Sequence, residues 1–328
     1  MSYEFISSKE RINLAGIEAS FLKGLKNYFD KEGFTEIVVP HITKATGACE
    51  NIATMFKLDY FGRKAYLSQT GQLYLEVMTP YLKKVWCTIH SFRAEPDVDN
   101  RHLTEFVLVE MEFVGDLEEL IKRTEDAIYS GVRKVVDERR EELEYFKVMP
   151  DLVEEMFKPS YEVITYTEAI ETLKKYFPKL KWGDDLKSIH EKKITEITGK
   201  PTFVTHYPKD IKFFNMRENT EDERIVNSTD LLLPGSGEAV GGAEREPRYE
   251  KLLRRLEEST MLKMLIEEGG SREDFDWYLN FWKKYNEQNG LILHSGCGIG
   301  VSRVIQSMLQ LDDIRKATVW PMNREMLY

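Results

Sequence analysis

The sequence is poor in the features that mark secreted, membrane-embedded and metal-stapled proteins. It holds three cysteines, Cys49, Cys87 and Cys297, in 328 residues. An odd number with no CxxC spacing suggests neither a disulfide framework nor a zinc knot, and fits a reducing compartment. No apolar run approaches the length of a membrane span, and the amino terminus lacks the basic and apolar segments of a secretory leader, so a cytoplasmic protein is expected. Positive charge is also short: 46 Lys and Arg against 56 Asp and Glu leave a formal charge of -10. That argues against a general nucleic-acid coat, whose nonspecific affinity comes mainly from neutralising phosphates, while leaving room for a local basic patch.

What is present describes a globular chain with ample material for a core, 42% hydrophobic and 31% charged. Lys9 to Lys31 has the apolar spacing of an amphipathic helix, through Leu14, Ile17, Phe21, Leu22, Leu25, Tyr28 and Phe29. Gly33 stops it, and Phe34 to Pro40 reads as a short strand. Met55 to Leu67 reads as paired strands turning at Phe61-Gly62, and Ser68 to Gln72 opens a helix running to about Leu82. Polar residues crowd the first turn of that helix, where free backbone N–H groups favour an acceptor, either a cap or a ligand.

The most informative stretch is Val85 to Phe113, an apolar run, then Arg93 and Glu95, a polar loop Pro96 to Asn100, the pair Arg101-His102, and a second, alternating apolar run from Phe106. This is a β-hairpin with cations near both ends of its loop, a plausible cradle for a polyphosphate. On its own it is equally a surface hairpin with solvated charges. A long helix follows from Leu117 to about Glu144, then helices at Tyr166 to Phe177 and Asp184 to Ile197. Residues 148–200 read as a possible insertion with no catalytic constellation. Strand character returns at Thr202 to Tyr207 and at Phe213 to Met216.

Between Asp230 and Glu246 two carboxylates, Asp230 and Glu238, flank a glycine-rich bend. Carboxylates with water and substrate phosphates are the usual ligands of Mg²⁺, although the glycines could instead serve close strand packing. Helices are expected at Glu250 to Glu268 and Asp276 to Tyr285. Finally, His294 to Arg303 is a glycine-rich strand delivering an arginine at a helix start. The Rossmann fingerprint does not fit it, because no βαβ unit follows.

Together these stretches resemble the catalytic core of class II aminoacyl-tRNA synthetases, in the subgroup of the asparaginyl and aspartyl enzymes and the synthetase-like asparagine synthetases. Three ordered motifs carry the resemblance: the helix and strand ending at Pro40, the Phe92 to Phe106 hairpin, and Gly296 to Arg303, with GEAVGGAERE between. The resemblance implies an α+β fold, an antiparallel sheet flanked by helices, one catalytic domain over residues 1–328, and a homodimer formed through the first motif. It implies ATP and Mg²⁺, and attack of an amino-acid carboxylate on the α-phosphorus. By the same resemblance, Arg93 contacts the α-phosphate, Phe106 stacks on adenine with Arg303 on the opposite face, and Glu95, Arg101 and His102 complete the ATP site. Asp230 and Glu238 match the metal ligands. Glu50, Gln72, Glu76 and Arg245 match the amino-acid site.

Aspartate-selecting members tend to carry a lysine where this chain has Leu75 and then Glu76, which points to asparagine or a neutral analogue. The subgroup's amino-terminal OB-fold is expected to be absent, since the chain begins almost at the first motif. Ser302, Pro321-Met322 and Asn215 depart from the family pattern. The leading expectation is an ATP-dependent ligase that passes an activated asparagine-like acyl group to ammonia or another amine. The alternatives are an asparagine-tRNA ligase without the anticodon domain, for which tRNA would be a partner, and a noncatalytic ATP-binding regulator.

Overall fold

The computed structural model describes residues 3–45 and 54–327. The helix Lys9–Glu32 starts at Ser8, whose hydroxyl accepts from the Arg11 N–H, and buries Leu14, Ile17, Phe21, Leu25 and Phe29 along one face. It packs beside the helix Leu117–Glu138, where the Ser130 hydroxyl donates to the Gly24 carbonyl at 2.8 Å.

The strands are β1 Thr35–Glu36, β2 Ile42–Thr43, β3 Lys57–Tyr60, β4 Arg63–Leu67, β5 Lys84–Phe92, β6 Glu105–Phe113, β7 Glu162–Thr165, β8 Thr202–Thr205, β9 Ser228–Leu233, β10 Gly237–Glu244 and β11 Ser295–Gly300. Among the described residues, eight of them form one sheet in the order β1-β5-β6-β11-β10-β9-β8-β7, and β2-β4-β3 form a small second sheet. The large sheet is antiparallel except at its two edges, β1 with β5 and β7 with β8. The expected α+β architecture, a mostly antiparallel sheet flanked by helices, is therefore what the chain adopts.

Alternation along β6 divides the sheet chemically. Val109, Met111 and Phe113 join the core formed with the two long helices. Phe106, Leu108, Glu110 and Glu112 face the other way and line a large cavity.

Several expected elements are shorter or broken. The strand after Gly33 is reduced to Thr35–Glu36, and the hairpin loop runs the whole way from Arg93 to Thr104. The long helix breaks at Arg139, whose backbone leaves helical geometry at φ -135 and ψ 37. The helix from Glu250 onward breaks at Ser259, which caps a new helix by accepting from Leu262 N–H at 3.1 Å. Phe213 to Met216 is not a strand: the Arg255 guanidinium takes the carbonyls of Lys209, Phe213 and Met216, so those groups are satisfied by a side chain rather than by a ladder. Residues 148–200 contribute the edge strand β7 and the helix Ser188–Thr198, which packs near the β9–β10 turn. None of the described helices is long and apolar enough to cross a membrane.

Candidate active site

The cavity over β6, β10 and β11 has a volume of about 1370 Å³, larger than the ~1,000 Å³ upper range of ordinary small-molecule pockets. It receives the two ends of the hairpin, the β9–β10 turn, the start of the helix Gln72–Leu82 and the helix beginning at Val301. Of the sequence-derived candidates, Gln72, Arg93, Glu95, Arg101, His102, Phe106, Asp230, Glu238, Arg245 and Arg303 line it together. Glu76 does not; it lies behind the wall. Glu50 lies outside the described residues.

One half of the cavity gathers cations. The Arg93 guanidinium sits 5.2 Å from the centre of the Phe106 ring, a cation–π distance. Arg303, at the start of its helix, donates from Nη1 to the Ser236 carbonyl at 2.5 Å and from Nη2 to the Arg101 carbonyl at 2.8 Å. The recorded cation over Phe106 is thus Arg93, while Arg303 is held by two loop carbonyls. Arg101 pairs with Glu191 at 3.2 Å, and His102 Nδ1 meets Asp99 at 2.8 Å. The loop is tied down by a distant segment: Thr104 N–H donates to the Met322 carbonyl, Ile314 N–H to the Asn100 carbonyl, and the Asn100 side chain to the Asp312 carbonyl at 3.1 Å. Pro321-Met322, a departure from the family pattern, thereby becomes part of the loop's anchorage.

Asp230 and Glu238 come together over Gly241, where a Cβ would lie 3.3 Å from one Glu238 oxygen and 3.7 Å from one Asp230 oxygen. Lys212 Nζ approaches the other Asp230 oxygen at 2.5 Å. Among the described residues no set of three or more His, Cys, Asp or Glu side chains is arranged for a metal. Two oxygen-only ligands beside phosphate-seeking cations nonetheless fit Mg²⁺, which is commonly held by one or two carboxylates with phosphates and water supplying the rest.

The other half is a buried polar network. Glu76 is 0% exposed, and its carboxylate accepts from Gln72 Nε2 at 2.7 Å, Asn215 Nδ2 at 2.6 Å and Tyr278 Oη at 2.5 Å. Burial alone would raise its pKa, but His294 and Arg245 outweigh that and hold Glu76 below the ordinary carboxylate range. Arg245, 3% exposed, donates to Glu112 Oε1 from Nε at 3.0 Å and Nη2 at 2.5 Å, with Glu76 at 3.8 Å. Burial pushes the Glu112 carboxyl up to about 7 despite Arg245. Leu75, fully buried, also lines the cavity.

Sequence reasoning passed over Glu110, Glu112 and Glu191. The first two were legible, since they share the parity of Phe106 along a period-2 strand. Glu110 accepts from Thr70 Oγ1 at 2.5 Å and from Gly71 N–H at 2.7 Å, and burial raises its pKa. Glu191 comes from the segment that seemed without catalytic residues. It reaches Arg101, accepts from the Glu238 N–H at 3.3 Å and rests on Gly237. Only three-dimensional folding brings it there.

Residues 3–324 match the family described as tRNA synthetases class II (D, K and N). The chain is 39% identical over 315 residues to the asparagine-tRNA ligase of Pyrococcus abyssi, covering 95% of this chain and 68% of that one. Its fold superposes on asparaginyl-tRNA synthetase of Pyrococcus horikoshii complexed with asparaginyl-adenylate, with TM-score 0.88 and 36% identity over 98% of this chain and 71% of that chain. The Entamoeba histolytica asparaginyl-tRNA synthetase, also in complex with asparaginyl-adenylate, gives TM-score 0.82 at 27% identity over 98% of this chain and 69% of that chain. With residues of the second and third motifs lining one cavity, the chain belongs to the class II tRNA synthetases (D, K and N) and is an ATP-dependent ligase of that family.

Proposed function

We propose that this protein activates asparagine, or a close analogue with a neutral side chain, as its aminoacyl adenylate, and passes the acyl group to a non-tRNA acceptor such as ammonia or another amine. The carrying observation is the composition of the buried half of the cavity. Arg245 is already matched by Glu112 and Glu76, and Leu75 stands where a second cation would be required, so a substrate side-chain carboxylate would lack a counter-charge in a poorly solvated place. An amide needs none.

The substrate α-carboxylate oxygen attacks the α-phosphorus of ATP, the new O–P bond forms, and the bond to the β-phosphate oxygen breaks to release pyrophosphate. Arg93 is assigned to the α-phosphate and the attacking carboxylate, Phe106 and Arg303 to adenine, Arg101 and His102 to the terminal phosphate, and Glu95 to the same nucleotide site. Gln72 and Glu50 are assigned to the substrate ammonium, and Arg245 to its side-chain oxygen, with Glu76 positioning both Gln72 and Arg245. Asp230 and Glu238 would hold Mg²⁺, which neutralises phosphate charge when bound. Positioning and electrostatics supply most of the catalysis in such a transfer, and no protein nucleophile is required.

An amine acceptor is supported by the loop at the cavity mouth, which carries Asp97 and Asp99 between Pro96 and Asn100 and no cation there. Nucleic-acid phosphates favour the opposite sign. The names of the relatives favour transfer to tRNA as a second reading. Amino-acid-dependent exchange of labelled pyrophosphate into ATP tests activation: asparagine should support it, and no exchange with any of the twenty amino acids would overturn the reading. Labelled asparagine offered with total tRNA, and separately with hydroxylamine as a model amine, divides the two acceptors.

A further inference from the structure

The helix Ser188–Thr198 comes from the stretch that reads as an insertion without catalytic residues, and it stands on an apolar base of its own. Ile194 belongs with Tyr166, Leu173, Leu186, Val204 and Leu232 to a cluster separate from the main core. His190, edge-on to Phe177 with ring centres 4.8 Å apart, accepts from the Lys187 N–H at 3.1 Å and ties down the first turn. Glu191 follows in that turn, where the helix N-terminus favours negative charge. The segment thus delivers one carboxylate, 7% exposed and on a packed element, to the wall of the cavity.

A single oxygen of that carboxylate joins two elements of the nucleotide half. Glu191 Oε2 accepts from Arg101 Nη2 at 3.2 Å and from the Glu238 N–H at 3.3 Å. Gly237 makes the approach possible. Its φ of 77° lies in the left-handed region, and a Cβ there would fall 2.5 Å from Glu191 Oε2 and 3.2 Å from Arg101 Nη2. The Arg101 backbone is fixed as well, its N–H on Asp99 at 2.8 Å and its carbonyl under Arg303 Nη2 at 2.8 Å. Among the described residues the Arg101 guanidinium makes no other hydrogen bond, so most of its N–H donors are left for a ligand. The crowding of arginines here calls for an acid: burial and the Arg101 charge lower the Arg303 pKa, while Glu191 and Glu238 oppose that.

We infer that Glu191 is a positioning residue for the nucleotide, holding the Arg101 guanidinium so that its remaining donors face the terminal phosphate of ATP. The inference rests on the assignment of Arg101 to that phosphate. A long side chain loses rotamer freedom when a ligand immobilises it, and a carboxylate that immobilises it beforehand removes this cost from binding. AMP, which lacks the terminal phosphate, gains nothing from the arrangement. A pair that merely fastened the helix to the sheet would stabilise the fold without distinguishing the two nucleotides.

The experiment is binding of ATP and of AMP by calorimetry, in the presence of Mg²⁺, to the native protein, Glu191→Gln, Arg101→Ala and the double variant. No amino acid is added, so the outcome does not depend on which one is activated. Glu191→Gln should weaken ATP by about fivefold to tenfold, the scale of one hydrogen bond to a charged group, and leave AMP within about twofold. Arg101→Ala should lose at least as much for ATP, and adding Glu191→Gln to it should change ATP binding no further. In pyrophosphate exchange Glu191→Gln should raise the KM for ATP by a similar factor, with the KM for asparagine little moved. Glu191→Asp, which keeps the charge with a shorter reach, should recover part of the loss and carries the same comparison if the glutamine variant does not fold. Equal weakening of ATP and AMP by Glu191→Gln, or additive losses in the double variant, would overturn the inference while leaving the assignment of Arg101 standing. An Arg101→Ala variant with an unchanged preference for ATP over AMP would overturn both.

Discussion

The two halves of the cavity solve the same electrostatic problem in opposite ways. On the nucleotide side Arg101 is met by Glu191 of the helix Ser188–Thr198, and His102 by Asp99 within the hairpin loop, where water reaches both side chains. The exposed pair, His102 with Asp99, is held only weakly, because solvent-exposed ion pairs are worth only ~0–1 kcal/mol. On the amino-acid side Glu76, Glu112, Arg245, Asn215 and Tyr278 form a connected network of buried side chains. There every partner is a buried side chain held by its neighbours. A polyphosphate can be recognised by charge that rearranges; distinguishing an amide from a carboxylate requires polar atoms that do not.

This contrast can be broken most severely at Glu76. Replacing Glu76 by Ala strands Arg245 beside Glu112 and leaves Gln72, Asn215 and Tyr278 without their acceptor. Thermal or denaturant unfolding should report a loss of about 3–5 kcal/mol, the usual cost of breaking a buried pair. A loss below about 1 kcal/mol would show that the network tolerates exchange after all. On the nucleotide side, Arg303→Ala removes two hydrogen bonds to loop carbonyls and the cation assigned to adenine. Exchange activity should fall by about 10²–10³, comparable to removing one transition-state donor, with the melting temperature little changed. Near-normal exchange would refute the role assigned to the third motif. The smallest effect is expected at the exposed pair: Asp99→Asn should alter stability by under ~1 kcal/mol and raise the KM for ATP only modestly, the more so at low salt.

How much of this could be read beforehand also divides along the two halves. The phosphate-side residues were legible because they lie on contiguous motifs, where the hairpin brings Arg93, Arg101, His102 and Phe106 together through local pairing. The antiparallel sheet was legible in outline from the same motifs. The amino-acid side depends on contacts distant in sequence, Glu76 with Tyr278 and Glu112 with Arg245, which no local period reports. Glu110 and Glu112 are the intermediate case: parity with Phe106 places them on the cavity face, but the hairpin taken alone is equally a surface one with solvated charges. Glu191 illustrates the opposite limit, a residue in a stretch without motif character that the fold delivers to the Arg101 side chain. The same long-range competition erased the expected strand at Phe213 to Met216, where Arg255 claims the carbonyls a ladder would have used.

The anchoring of the hairpin loop sets an order of events during synthesis. Asn100, Thr104 and Pro96 meet residues between 312 and 324, with Asn100 bonded to a carbonyl 212 positions further on and Pro96 to Arg324, 228 positions away. A nascent chain already possesses the hairpin residues once Phe113 has left the ribosome. It lacks the segment that immobilises the loop until residues 312–324 have followed. The nucleotide cradle is consequently completed late, after the buried network has all of its members, so a partly made chain has no fixed place for a triphosphate.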